Sequence, residues 1–200
     1  AGVAEVRSRL GRPTVLVNNA GLSLDSPFLD ITAELWQKSL AVNLTGTFDC
    51  CQAVLPDMLD EGWGRIVNIS SSSFHSGSPG LAGYVSAKSG VVGLTKVLAL
   101  EFGKHGVTVN TIPPGFIDTP MLRRTVEKGF VDLDQQTAKT PVGRIGQPDD
   151  IARHIKFDKI DRDNLISYSI KDNANGDEWK GIKFVFNGSE QPEEVKIAKG

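Results

Sequence analysis

Residues 65–88 read RIVNISSSSFHSGSPGLAGYVSAK, and this stretch decides the fold. It opens on a short β-branched run, Arg65 to Ser70, of the kind that fills a buried strand of a parallel sheet. A Ser/Gly loop follows through Gly80, and a helical pattern then runs from about Leu81 to Phe102. Strand, polar loop and long helix together form the repeating unit of an α/β fold. Tyr84 and Lys88 stand four residues apart on that helix, so they share one face. An ammonium beside a phenol favours the phenolate, so the spacing predicts a Tyr84 acidified below its ordinary value of about 10. Such a tyrosine can exchange a proton with a substrate oxygen near neutral pH. Taken alone, Tyr-x-x-x-Lys is equally what a surface pair on a helix looks like.

The same unit recurs on either side. Upstream, a short amphipathic helix over about 1–10 is stopped by Gly11 and Pro13. Thr14 to Asn18 (TVLVN) is a continuous apolar run, which predicts a strand buried on both faces. A helix is expected from an N-cap at Thr32 to about Leu59, with Pro56 kinking or ending it. Asn43 lies in its middle, where asparagine is intrinsically unfavourable, which points to a specific role. Downstream, Val107 to Ile112 (VTVNTI) is a third strand, broken by Pro113-Pro114-Gly115. Residues 119–144 read as a mobile helical or loop segment ahead of Gly146-Gln147-Pro148. In open parallel sheets the chemistry gathers at the carboxyl ends of the strands. Asn18-Asn19-Ala20-Gly21, Ser71 and Pro114-Gly115 all fall at those ends, and Ser71 lies 13 residues before Tyr84.

These residues together resemble the short-chain dehydrogenase/reductase family. The resemblance rests on Asn18-Asn19-Ala20-Gly21, Asn43, Ser71 with Tyr84-x-x-x-Lys88, and Pro114-Gly115-Phe116-Ile117-Asp118-Thr119, and covers about residues 1–152. It implies an NAD- or NADP-dependent oxidoreductase that transfers hydride between a nicotinamide and an alcohol/carbonyl pair. In that family the Ser polarises the substrate carbonyl and the Tyr is the general acid/base. The Lys binds the nicotinamide ribose and lowers the Tyr pKa, and the Asn anchors a proton-relay water. The resemblance gives these roles to Ser71, Tyr84, Lys88 and Asn43. It gives the cofactor lining to Asn18, Ala20, Gly21, Tyr84, Lys88, Pro114 and Gly115, and the nicotinamide amide to the backbone near Ile117 with Thr119.

One departure from the family pattern matters. The family seats its cofactor phosphates on a Gly-rich turn after its first strand, at a helix N-terminus. No such turn occurs in these 200 residues, and the first strand here corresponds to the family's fourth. The expected fold is therefore a partial Rossmann-like parallel sheet without its first three strands, on the order of 60–80 residues short. The strand at Thr14–Asn18 then has one side unpaired and an apolar surface exposed. Expected activity of the chain alone is little or none.

The chain changes character near residue 150. Residues 1–150 hold 17 of the 21 glycines, whereas 151–200 hold four, with nine basic and nine acidic residues. The tail reads as antiparallel β, which predicts a separate unit from the division 1–152 and 153–200. Asn164 to Ile170 and Gly181 to Phe186 alternate apolar and polar residues. Asp172 to Asp177 is a turn, Asn187-Gly188 is a hairpin signal, and Glu194 to Ala198 is a returning strand. DNANGDEWK (172–180) followed by Phe186-Asn187-Gly188 resembles the C-terminal β-sandwich of pullulanase-type starch-debranching enzymes. That resemblance implies a chimera joined within 149–154. It also leaves open a carbohydrate-associated, non-catalytic module in which Trp179 is a core aromatic or a sugar platform, or a structural protein without ligand.

Composition narrows the remaining classes. Twenty-two Lys and Arg against 24 Asp and Glu give a net charge of −2, with no basic excess for nucleic acid or anionic lipid. No apolar run reaches the roughly 18 residues of a membrane span. The two cysteines, Cys50 and Cys51, are adjacent, which fits a reducing, cytoplasmic setting and reads as two helix thiols, at least one of them buried. No metal site is expected: Asp161, Asp163 and Asp172 have Ile166 where a calcium loop needs Gly, and His75 reads as a solvated loop residue. Ser70, Ser72 and Ser73 read as loop hydroxyls beside Ser71. The expected partners are a small carbonyl or alcohol substrate and a second copy through helices 32–59 and 81–102.

Overall fold

The computed structural model describes residues 2–152 and the backbone of 165–171 and 181–187. The chain divides into two compact units, Ala1–Gly115 and Phe116–Gly200.

The first unit is built on three parallel strands, β1 (Val15–Asn18), β2 (Gly64–Ile69) and β3 (Val107–Ile112), in the order β1-β2-β3. This is the Rossmann-like α/β arrangement expected from the sequence. Helix α1 (Gly2–Leu10) precedes β1, and α2 (Ala33–Leu40) and α3 (Gly46–Asp60) lead to β2. A short helix α4 (Ser73–Ser76) and the long α5 (Ala82–Phe102) connect β2 to β3. Thr32 caps α2 as expected, its hydroxyl accepting the Leu35 N–H at 3.1 Å.

Register decides which side chains meet the helices. Leu16, Ile66 and Val109 are aligned across the three strands and face one way. They join Cys51, Val54, Leu55 and Met58 of α3 and Leu98 of α5 in the core. Met58 is fully buried, a burial that contributes about 1.5–3 kcal/mol. Helix α5 comes close to the helical segment before α3 because Gly90 has no side chain; a Cβ there would stand 2.8 Å from Leu44.

The run at 14–18 shows the exposed apolar surface expected of a strand with one side unpaired, and not burial on both faces: Val15 is 44% and Val17 51% exposed. Both align with Arg65 and Val67, on the face opposite the helical core, and β1 is the edge of the described sheet. The helix over 32–59 is not uniform: Ala41–Thr45 is a π-helical segment between α2 and α3. Helix α3 runs to Asp60, close to the expected end at Leu59, with Pro56 inside its last turns. Helix α1 docks alongside, with Arg7 Nε on Asp57 at 2.6 Å and Arg7 Nη2 donating to the Ala53 carbonyl.

The second unit begins with a clip. Gly146 donates its N–H to Phe116 O at 2.9 Å and accepts the Asp118 N–H at 2.7 Å, making a parallel bridge with Ile117. Between these points lie α6 (Pro120–Glu127) and α7 (Leu133–Lys139), capped by Thr119 and Asp132, with α8 (Pro148–Ala152) after them. Strands β4 (Leu165–Lys171) and β5 (Gly181–Asn187) form an antiparallel pair in which Tyr168 stands opposite Phe184. The expected turn at Asp172–Asp177, the strand at Glu194–Ala198 and Trp179 lie outside the described residues.

Candidate active site

Parallel strands of matched register end together. Asn18, Asn68 and Thr111 are aligned, as are Ile69 and Ile112, so the turns after β1, β2 and β3 open at one edge of the sheet. These are the turns that carry Gly21, Ser71 and Pro114. Ser72 N–H donates to Pro114 O at 2.9 Å, tying the second turn to the third.

Lys88 is the buried cation of this edge, only 4% exposed. Its Nζ donates to Ile69 O at 2.7 Å, the last carbonyl of β2. Burial pushes its pKa down to about 8. One helical turn earlier, the Tyr84 ring centroid lies 5.8 Å from that Nζ. The expected acidification of Tyr84 is corrected. Burial raises the phenol above its ordinary value, and a hydrogen bond with Ser71 works in the opposite direction. Desolvation of the phenolate outweighs that hydrogen bond, and the neutral phenol form of Tyr84 is favoured.

Asn43 is fully buried inside the π-helical segment. Its Nδ2 donates to Leu22 O and Ser39 O, both at 2.9 Å, and its Oδ1 accepts the Leu22 N–H at 3.0 Å. The side chain thus clamps both backbone groups of Leu22, the residue after the Asn-Asn-Ala-Gly turn. Gly21 sits between the two key groups. A Cβ there would stand 3.0 Å from Asn43 Oδ1 and 3.4 Å from Lys88 Nζ, so glycine lets the turn approach the lysine.

The other sequence-selected residues are distributed as follows. Asn18 turns its amide away from the edge, donating to Asn68 Oδ1 at 2.8 Å and contacting Cys51 Sγ at 3.3 Å. Ala20 and Gly115 are exposed. Ile117 and Thr119 belong to the second unit, in the Gly146 clip and at the α6 cap. Cys51 is buried, which pushes its thiol up to about 11, and Cys50 is half-buried. His75 is exposed on α4 beside the Phe74 ring. Among the described residues no group of three or more His, Cys, Asp or Glu is placed to hold a metal ion. No described helix is long and apolar enough to cross a membrane.

Three groups escaped the sequence reading. Leu22 and Ile69 act through their backbones, which leave no mark on residue identity. Asn68 links Asn18 to Thr95 of α5 through its Nδ2, 2.9 Å from the Thr95 hydroxyl. A polar residue inside the apolar run RIVNIS was the available signal for it.

A family model described as short chain dehydrogenase matches residues 1–129. A second model, the all-beta domain of pullulanase, matches residues 151–200. The chain is 42% identical over 178 residues to an acetoacetyl-CoA reductase of Rhizobium meliloti, covering 89% of this chain and 73% of that protein. It is 37% identical over 165 residues to the 3-oxoacyl-[acyl-carrier-protein] reductase of Thermotoga maritima, covering 82% and 66%. Among solved structures it resembles a gluconate 5-dehydrogenase from Burkholderia cenocepacia in complex with NADP and tartrate. That match has a TM-score of 0.69 and 34% identity, over 74% of this chain and 58% of the other. The structure described as ElxO with NADP bound gives the same TM-score and identity, over 76% and 61%. This chain thus spans 58% and 61% of the length of those two structures. On the match over 1–129 and the shared identity, the chain belongs to the short chain dehydrogenase family.

Proposed function

We propose that residues 1–152 carry the reacting end of an NAD(P)-dependent carbonyl reductase. The observation that carries this reading is the meeting of Ser71, Tyr84, Lys88 and Gly21 at the carboxyl edge of the sheet. The donor set suits the nicotinamide-ribose end of a dinucleotide. Lys88 Nζ spends one N–H on Ile69 O and keeps two for ribose hydroxyls, beside a turn with no Cβ at Gly21. When bound, a reduced nicotinamide supplies hydride to the carbonyl carbon. Ser71 and Tyr84 donate hydrogen bonds to the carbonyl oxygen, and the proton on Tyr84 Oη completes the alcohol. A neutral phenol at pH 7 is the form this direction of reaction needs. The phenolate left behind is stabilised by the Lys88 charge and, once the alcohol leaves, by the Ser71 hydroxyl. The substrate class is a small carbonyl compound, in keeping with the names of the similar reductases.

The 200 residues as they stand have little or no activity of their own in this reading. What supports this is the lack of a Gly-rich phosphate turn in the sequence and the half-exposed edge strand β1. Residues 153–200 would be a fragment of separate, pullulanase-like origin, in keeping with the match over 151–200. Carbonyl reduction should appear when a second polypeptide carrying the family's Gly-rich βα half is added, and Tyr84→Phe should abolish it. Reduction that persists in Tyr84→Phe would overturn the assignment.

A further inference from the structure

The Ser71 hydroxyl is held by a neighbour that the family pattern does not name. Ser73 Oγ donates to Ser71 Oγ at 2.8 Å, and Ser73 N–H donates to the same oxygen at 3.2 Å. A serine hydroxyl has two acceptor lone pairs and one proton. With Ser73 donating through both groups, the two lone pairs of Ser71 are filled from one side and its own proton is left to donate.

We propose that Ser73 is a positioning residue that commits the single Ser71 proton to one side, toward Tyr84 Oη in the free chain and toward the substrate oxygen when substrate is bound. Without it, the Ser71 proton can rotate away toward neighbouring acceptors. With it, the hydroxyl proton has one productive direction, and donation from Ser73 polarises the Ser71 O–H. The arrangement is local. Ser73 is the first residue of α4, and Ser71 lies just before that helix, where Phe74 N–H donates to its backbone carbonyl at 3.2 Å. Ser70 takes no part, since its hydroxyl is engaged with Ile112 O at 3.2 Å, and Ser72 turns its N–H to Pro114 O. Ser73 alone of the loop serines thus reaches the Ser71 hydroxyl among the described contacts. The inference rests on the Ser71–Tyr84 pairing of the proposed function.

The test needs no turnover. The chain has two tyrosines, Tyr84 and Tyr168. Incorporating ring-fluorinated tyrosine lowers the phenol pKa into an accessible range, and fluorine NMR follows each ring, with Tyr168→Phe assigning the Tyr84 signal. Ser71→Ala should move the Tyr84 titration to higher pH, because the phenolate loses a donor. Ser73→Ala should move it in the same direction by a smaller amount, Ser73→Thr should restore it, and Ser76→Ala should leave it in place. If Ser71→Ala shifts the titration while Ser73→Ala does not, Ser73 is only a loop hydroxyl and the inference fails. If Ser71→Ala itself has no effect, the Ser71–Tyr84 pairing fails, and both the proposed function and this inference fall with it.

Discussion

Asn43 holds Leu22 by both of its backbone groups, Oδ1 to the N–H at 3.0 Å and Nδ2 to the carbonyl at 2.9 Å. The contact joins a π-helical segment to the turn after β1, 21 residues away in sequence. It holds the turn that places Gly21 beside Lys88.

Removing that clamp takes a hydrogen-bond partner from Leu22 N–H, Leu22 O and Ser39 O. Asn43→Ala should therefore destabilise the chain by about 2–4 kcal/mol, the cost of unpaired buried groups plus a small cavity. Asn43→Asp keeps the acceptor for Leu22 N–H but loses both donors, and should fall near the alanine variant. Urea unfolding midpoints compare the three. A wild-type-like midpoint for Asn43→Ala would show that the Leu22 turn is held by something else.

Gly106 is a second position where the backbone leaves no choice. Its φ is +77°, and a Cβ there would overlap the Gly62 carbonyl oxygen. Gly106→Ala combines left-handed strain with a backbone clash and should lose about 3 kcal/mol or more. Gly129 has the same φ of +77° but open space around it. Gly129→Ala should lose only the strain, about 1–2 kcal/mol. Equal losses at the two sites would contradict the packing at Gly106.

Lys88 gives the stability a pH dependence of definite sign. Its folded pKa is about 8 against an ordinary 10.5, so the unfolded chain binds more protons between those values. Stability from this group therefore rises as pH climbs from 8 to 10.5, and below pH 8 the buried charge costs about 3 kcal/mol. The neutral amine keeps an N–H for Ile69 O. Relative to Lys88→Met, the wild-type chain should be weakest below pH 8 and should recover as pH approaches 10.5. A stability difference that is flat with pH would mean that Lys88 is solvated.

The order of elements was legible in the sequence because each carries its own local signal. RIVNIS and VTVNTI are β-branched runs ended by Ser or Pro-Pro, and Thr32 is a capping residue that caps. The spacing of Tyr84 and Lys88 was enough to put the two on one face of α5. What was not legible depends on tertiary context. The composition of TVLVN alone is that of a central strand, so the exposure of Val15 and Val17 was legible only from the expected lack of a strand beside it. Tyr84 and Lys88 share a face, as their spacing predicts, yet the sign of the phenol's shift depends on burial, which i, i+4 geometry does not reveal. The role of Asn43 was signalled by its misfit in a helix, but its partner, a backbone, was not.

On the proposed function, these 200 residues assemble the nicotinamide end of a reductase site without a seat for the dinucleotide's phosphates. A fluorescence titration of the folded, monodisperse chain with NADPH and with NADH tests it most directly. The account predicts no saturable enhancement with either cofactor at micromolar concentrations. Saturable enhancement with micromolar affinity, lost in Lys88→Met, would contradict it and would show that the turns at Gly21, Ser71 and Pro114 hold the cofactor by themselves.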